Sequence, residues 1–380
     1  MRLDAMHPDA LILWAAAPAA VIWFGLLLAP WRPWSTRERL ETAGATPDID
    51  LSAITVLIPA RDEAGVIGTT LAALTAQGRG LKIIVVDDQS SDATAAIASS
   101  HANVEVVSGR PLPPGWTGKL WALEQGRARV TTSLTLLLDA DIALAPGLLA
   151  ALLRYKGASG AQLVSLMADL ARESFWDRLL LPAFVYFFKL LYPFSLSNSR
   201  SAYVAAAAGG CILVDRSALE RAGAFASLKD ALIDDCTLAR RVKSTGARTW
   251  IGLTRGARSL RPYRTLASVH EMVARSAFTQ LRYSALLLLL VTAVFAFAYW
   301  LPLAALLSTS APLAAAALAA MMLAYVPTLR YYGLSPLWAL LMPFTAALYL
   351  GMTWSSAIRY WRGLRSRWKD RNYEKSSTAT

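Results

Sequence analysis

For 47 positions, from Tyr283 to Leu329, the chain carries no charged residue. A helix rises about 1.5 Å per residue and a bilayer core is about 30 Å thick, so this run is too long for one crossing and is expected to make two. The turn-forming cluster Ser308-Thr309-Ser310-Ala311-Pro312 marks the break between them. A further uncharged block, Tyr331 to Ile358, contains Pro336 and Pro343 and is also long enough to span. Near the other end, the 22 residues from Ala10 to Trp31 are uncharged. That run exceeds the roughly 7–15 residues of a signal-peptide core, and Asp4 and Asp9 spoil a basic leader, so residues 1–31 read as an uncleaved anchor.

Arg32, Arg37 and Arg39 follow this anchor against Arg2 before it, which places the next segment in the cytoplasm by the positive-inside rule. The later blocks then conflict with the same rule. Three crossings across residues 283–358 would leave the basic tail of residues 359–380, with Arg359, Arg362, Arg365, Arg367, Lys369 and Arg371, on the far side. The last block is therefore re-entrant or interfacial, or one crossing is miscounted.

Composition agrees with a membrane protein. Hydrophobic residues make up 55% of the 380 and charged residues 17%, against about 25% charged in an average globular chain. Disorder and a purely cytosolic enzyme are both excluded. The net charge of +12 invites a nucleic-acid reading, yet seven of the 38 basic residues fall in the last 22 positions, a pattern suited to an anionic membrane surface. No nucleic-acid partner is expected. Cys211 and Cys236 fit neither a disulfide framework nor a zinc motif and read as core thiols.

Residues 51–282 have ordinary composition and alternate short β runs with helical runs. Ile54–Ile58, Lys82–Val86, Asn103–Val107 and Leu134–Leu138 read as strands; Val66–Gln77, Asp92–Ser100 and Lys119–Arg129 read as the helices between them. The pattern predicts an α/β domain with a mostly parallel sheet, flanked by transmembrane helices. In such sheets ligands bind beyond the carboxyl ends of the strands, and three of these four strands end in acids.

The first strand runs into Pro59-Ala60-Arg61-Asp62-Glu63, with no GxGxxG, which argues against a dinucleotide. The second ends in Asp87-Asp88-Gln89-Ser90-Ser91-Asp92, where Asp87 and Asp88 can accept hydrogen bonds from ribose hydroxyls or a base N–H, while Asp92 reads as a helix cap. Solvated acids are the alternative for the pair. The fourth ends in Asp139-Ala140-Asp141, whose single intervening residue allows both carboxylates to approach one hard cation, Mg²⁺ or Mn²⁺, bridging a diphosphate. Lys119 opens a helix whose free N–H groups suit phosphate oxygens. In Asp234-Asp235-Cys236-Thr237 one acid is expected to cap the helix, leaving the other for general-base work on an acceptor hydroxyl.

Taken together, Val56 through Glu63, Val85 through Asp92, Asp139-Ala140-Asp141 and Asp234-Asp235, in this order and spacing, resemble glycosyltransferase family 2 with its GT-A fold. Gly209-Gly210-Cys211 and Ala222-Gly223-Ala224-Phe225 resemble its acceptor-side glycine segment, so the likeness covers about 230 residues. The flanking apolar blocks are similar to ceramide glucosyltransferases, and the details resemble bacterial hopene-associated glycosyltransferases most. The resemblance implies Asp62 and Asp88 near the nucleotide, Asp141 on the metal and Asp235 as base of an inverting transfer. Two departures stand out: Gln89 replaces a common glycine, and the QxxRW signature of processive synthases is only echoed by Gln280-Leu281-Arg282-Tyr283, leaving Gln280 and Arg282 as minor candidates.

The run Leu179–Phe188, between Arg178 and Lys189, is too short to span and is expected to lie in the headgroup plane as part of an interfacial helix over residues 176–194, with Trp176, Tyr186 and Tyr192 at interface depth; a buried core helix is the rival. His101 and His270 have no partnered motif and read as structural. The expected activity is transfer of one sugar from a nucleotide-sugar, a UDP-sugar foremost, to a membrane lipid hydroxyl at the cytoplasmic face. A processive polysaccharide synthase and a transporter or scaffold with an inactive domain are the alternatives.

Overall fold

The structure, a computed structural model, describes residues 8–42, 44, 49–229, 231–368 and 371–374. Arg2 and Asp4 of the amino-terminal flank and Lys369 of the tail lie outside the described residues. Two compact units emerge: an α/β unit of Glu38–Ala171, Phe194–Pro262 and Arg365–Thr380, and a helical unit of Met1–Arg37, Arg172–Pro193 and Tyr263–Leu364. The α/β unit thus ends its second segment at residue 262, and residues 172–193 belong to the helical unit.

In the α/β unit the expected strands form with small shifts at their ends: β1 Ile54–Ala60, β2 Lys82–Asp87, β3 Val104–Ser108 and β4 Leu134–Leu138. They are followed by β5 Ile142–Leu144, β6 Leu163–Asp169, β7 Cys211–Asp215 and β8 Thr249–Ser259. The eight make one sheet in the order β3-β2-β1-β4-β7-β6-β8-β5. β1 pairs in parallel with β2 and β4, and β2 with β3, while β7 runs antiparallel between β4 and β6. β8 is parallel to β6, and β5 antiparallel to β8. Central strands such as β1 are buried along their whole length because helices cover both faces, which is why they read as continuous apolar runs.

Two consequences position the site. The chain leaves β1 toward β2 on one side and β4 lies on the other, so a crevice is expected between β1 and β4 at their carboxyl ends. The β1–β4 ladder stops at Leu57–Leu137, and Pro59, with no N–H to offer, stands just beyond it where the two strands part. Second, the antiparallel β7 brings its own beginning, Gly210-Cys211, back to the end of β4, with Cys211 opposite Leu138 and Asp139 N–H donating to Gly210 C=O at 3.1 Å.

The helical unit contains the anchor helix Pro8–Leu28 and three helices long and apolar enough to cross a membrane, Ala285–Ala305, Ala311–Tyr331 and Pro336–Trp361. The break between the first two falls at the Ser308–Pro312 cluster, as expected. Ala285–Ala305 and Pro336–Trp361 run antiparallel: Trp300 Nε1 donates to Pro343 C=O at 3.0 Å, Trp354 Nε1 to Thr292 Oγ1 at 3.0 Å, and Tyr283 stacks on Tyr360 with centroids 4.3 Å apart. Residue 360 therefore ends beside residue 283, where the chain enters the first of these helices.

The segment expected as a helix over residues 176–194 forms the helix Phe175–Leu191, opened by a capping box in which Asp177 N–H donates to Ser174 Oγ and Ser174 N–H to Asp177 Oδ2, both at 3.1 Å. One face of it is buried against other helices of its unit, while Phe175 and Leu191 at its ends are exposed. Tyr186 is fully buried with its ring 5.1 Å from that of Tyr325, and Tyr349 Oη donates to Leu180 C=O at 2.8 Å. Alternating apolar residues at helical spacing bury one side here because neighbouring helices cover it.

Candidate active site

The strand-end acids converge, but on two cations and a set of backbone donors rather than on one ion. The helix Gly118–Arg127 lies over β1 and β2 so closely that a β-carbon at Gly126 would collide with Leu57. Its first turn holds Lys119, whose Nζ is 2.7 Å from Asp139 Oδ1 and 3.8 Å from Asp234 Oδ2. Burial alone would lower the Lys119 pKa, yet the charges of Asp139 and Asp234 outweigh it and hold the ammonium well above its ordinary value. Lys119 is thus an ion-paired group at the crevice, not a solvated lysine.

Asp234 and Asp235 open the helix Asp234–Ser244, and neither caps it in the expected manner: the residue before, Ile233, occupies the cap position with no side-chain bond. Asp234 turns toward Lys119. Asp235 Oδ1 accepts from the adjoining Cys236 N–H at 2.7 Å, and Oδ2 accepts from Gly209 N–H at 2.9 Å. A β-carbon at Gly209 would lie 3.3 Å from Lys119 Nζ and 3.4 Å from Asp235 Oδ2, so the two side chains press closely on this position. Burial, and then the charge of Asp234, push the Asp235 carboxyl up to about 6, against the downward pull of Cys236 N–H, Lys119 and Gly209 N–H. Pro59, Lys119, Asp139, Gly209, Asp234 and Asp235 line one pocket with apolar walls that include Leu137 and Phe225.

The two acids of Asp139-Ala140-Asp141 part company. Asp139 C=O accepts from Ile142 N–H at 3.1 Å, a turn that sends the two side chains to different neighbours. Asp139 faces Lys119, whereas Asp141 Oδ2 accepts from Arg261 Nε at 3.1 Å. Arg261 follows β8, which β5 pairs with Ile142 opposite Ser259, and its Nη2 also donates to Glu63 Oε1 at 2.8 Å. Among the described residues no three acidic, histidine or cysteine side chains form a metal cluster. A hard cation commonly uses one or two carboxylates and completes its shell with phosphates and water. The residues present fit a cation arriving with a diphosphate, held by Asp141, and do not form a closed cage.

The nucleotide-side motifs bind each other. Asp62, with φ +50°, accepts on Oδ1 from Ser91 N–H at 2.7 Å and donates its own N–H to Ser90 Oγ at 3.0 Å. Arg61 Nη1 donates to Asp88 C=O at 2.6 Å, and Ala64 N–H to Asp92 Oδ2 at 3.0 Å. Asp92 Oδ1 takes Thr94 N–H at 2.9 Å, but Ala93, not Asp92, occupies the cap position of the helix Thr94–Ser99 that the sequence assigned to it. Asp88 is fully buried. Asp87 Oδ2 takes Ser90 N–H at 3.3 Å, and its Oδ1 is buried with no hydrogen-bond partner at the end of β2. Gln89, where glycine is common, has φ +59°, which explains the glycine preference by backbone conformation.

Gln280 and Arg282 lie in the helical unit, where Gln280 Oε1 accepts from Tyr192 Oη at 2.7 Å and Arg282 occupies a left-handed turn with φ +52°. Arg261 is the participant that the motifs did not single out, whereas Gly209 belongs to the glycine segment already noted. The unmatched charge of Glu63 and Asp141 at neighbouring strand ends was the signal for Arg261.

Comparison with known proteins gives a consistent result. Over 109 residues the chain is 32% identical to a 4,4'-diaponeurosporenoate glycosyltransferase of Staphylococcus aureus strain N315, a match that covers 29% of this chain and only 28% of that relative. A similar match, 32% over 105 residues and 28% of each chain, is found with the protein of that name from strain MRSA252. Among solved structures, mannosyltransferase PcManGT from Pyrobaculum calidifontis, in complex with GDP-Man and Mn²⁺, superposes with a TM-score of 0.53 at 20% identity, covering 92% of this chain and 98% of that one. That likeness is one of fold. The family model described as glycosyltransferase like family 2 matches residues 52–279, which is more than half of the chain, and the protein belongs to that family, with a GT-A domain joined to long apolar helices.

Proposed function

We propose that the protein transfers one sugar from a nucleoside diphosphate-sugar to the hydroxyl of a membrane lipid, inverting the anomeric configuration. Asp235 carries this reading: it is a half-buried carboxylate lining a pocket with Lys119 and Asp139, with its pKa pushed up to about 6. A base poised near the working pH is mostly deprotonated yet still strong enough to take a proton, and such a group contributes roughly 10²- to 10⁴-fold. The acceptor O–H gives its proton to Asp235, its oxygen bonds to the anomeric carbon, and the bond from that carbon to the diphosphate oxygen breaks with both electrons going to the leaving group. Attack opposite the leaving group inverts the centre. Gly209 and Cys236 N–H groups keep the Asp235 carboxylate aimed through this step.

The unpartnered Oδ1 of Asp87 supports a ribose hydroxyl or base N–H of the donor, a UDP-sugar first, with Asp62 and Arg61 holding the loop around it. Mg²⁺ or Mn²⁺ on Asp141 would neutralise charge on the departing diphosphate. A lipid acceptor is supported by the long apolar helices and by relatives named for 4,4'-diaponeurosporenoate; the hopanoid class that the sequence resembles is the first acceptor to try. The antiparallel pairing of Ala285–Ala305 with Pro336–Trp361 also supports a tail, from Arg359 onward, on the same cytoplasmic side as the chain before Ala285, in keeping with the positive-inside rule; that arrangement requires that one of the three long helices does not cross. Reporters fused after Leu112 and at Thr380 should both score cytoplasmic. Mass spectrometry of lipids from membranes given the enzyme and UDP-sugars or GDP-sugars tests the activity: a lipid bearing one added sugar is expected. A ladder of polymer, or no lipid product with any donor, would overturn it.

A further inference from the structure

Glu63 and Asp141 leave β1 and β4 and share a single cation, Arg261. Their side chains are mostly enclosed, 13% and 14% exposed, whereas that of Arg261 is 39% exposed. The acids are the fixed members of this group and the guanidinium is the member with solvent to move into. Asp141 is also tethered through its backbone, its C=O accepting Leu260 N–H at 2.7 Å, so the carboxylate stays put whether or not the next residue's side chain remains on it.

We propose that Arg261 is an exchangeable counterion, which neutralises Glu63 and Asp141 in the donor-free enzyme and swings onto the donor diphosphate when a divalent cation takes its place on Asp141. This deepens the function proposed above and rests on it. Three physical points support the exchange. Arg261 Nε already occupies Asp141 Oδ2, so a divalent cation cannot approach that oxygen until the guanidinium withdraws, and two cations crowded on one oxygen repel. The planar fork of arginine serves carboxylates and phosphates with the same donor geometry, so leaving one for the other keeps its hydrogen bonds. Charge is also conserved: two carboxylates against one guanidinium leave one negative charge, and a divalent cation arriving with a doubly charged diphosphate adds none. The corner therefore admits metal and donor together and resists either alone.

The test is direct binding to the purified full-length chain, with Mn²⁺ alone as the first probe and UDP or GDP at saturating Mn²⁺ as the second. Arg261→Gln removes the competing charge, so Mn²⁺ alone should bind about tenfold tighter while the nucleotide binds about tenfold weaker, each a change of about 1.4 kcal/mol. Arg261→Lys keeps the charge but loses the fork, so Mn²⁺ affinity should stay close to that of the unaltered chain and nucleotide affinity should fall several-fold. If Arg261→Gln fails to fold, the Arg261→Lys pattern alone decides. Loss of both affinities together, which a structural role would give, or no change in either, would overturn the exchange. Opposite shifts in a protein that forms no lipid product would leave the exchange standing and sink the lipid-transfer reading instead.

Discussion

The corner around Lys119 and the corner around Arg261 draw on the same Asp139-Ala140-Asp141 triplet and differ in charge balance. At the first, one ammonium meets Asp139 and Asp234, with Asp235 alongside, so three acids face a single cation. At the second, one guanidinium meets two acids. The surplus of negative charge in the first, added to burial, raises the acid that is farthest from ionic compensation, Asp235, to about 6. The second holds its two carboxylates each in a direct hydrogen bond with the guanidinium. In the proposed reading one corner moves a proton and the other carries charge.

Substitutions should separate the two. The largest effect is expected from Asp235→Asn, which keeps size but cannot accept a proton: turnover should fall by on the order of 10²-fold or more while the donor dissociation constant stays within about twofold. Asparagine offers one acceptor oxygen to Gly209 and Cys236 N–H where the carboxylate offered two, so a stability loss of about 1 kcal/mol should accompany it. Turnover close to that of the unaltered enzyme would remove Asp235 as the base. Lys119→Met should come next. Without the ammonium, Asp235 becomes harder to ionise, so the acid limb of the pH–rate profile should move to higher pH, and activity at neutral pH should drop about twofold for a one-unit move and about tenfold for a two-unit move. An unmoved limb would show that Lys119 does not act on Asp235. The smallest effect concerns neither corner: Gln89→Gly relieves a left-handed residue and should raise stability by at most about 1 kcal/mol in a denaturant titration, leaving turnover unchanged. A destabilised Gln89→Gly would mean that contacts of the Gln89 side chain outweigh its backbone.

Much of this was legible in the sequence, because the elements that carry it are local. β4 begins and ends where its apolar run does, and the helix starting at Asp234 begins at its acids. The acid motifs at three strand ends follow from the α/β alternation alone. What was not legible depends on long-range pairing. Glu63 and Arg261 lie 198 positions apart and meet only because β8 returns beside β5. The divergence of Asp139 from Asp141 needs the turn at Ile142, and spacing of two residues says nothing about where a loop sends its side chains. Asp234 looked like a cap because acids favour helix starts, but the pull of Lys119 across the crevice decided its direction. The Phe175–Leu191 helix looked interfacial by its length and aromatic ends, and only its neighbours Tyr325 and Tyr349 reveal that one face of it is buried.

The measurement that bears most directly on the proton-moving corner is the pH dependence of kcat/KM for the unaltered enzyme and for Asp234→Asn, each with the donor and lipid that give product. The carboxyl of Asp235 is raised above its ordinary value, first by burial and then by the charge of Asp234, so activity should rise as pH climbs through about 6 and then level off. Removing the Asp234 charge should move that acid limb to lower pH, with the plateau kept within about tenfold. A limb that stays in place in Asp234→Asn, or a profile with no acid limb near 6, would contradict Asp235 as the base.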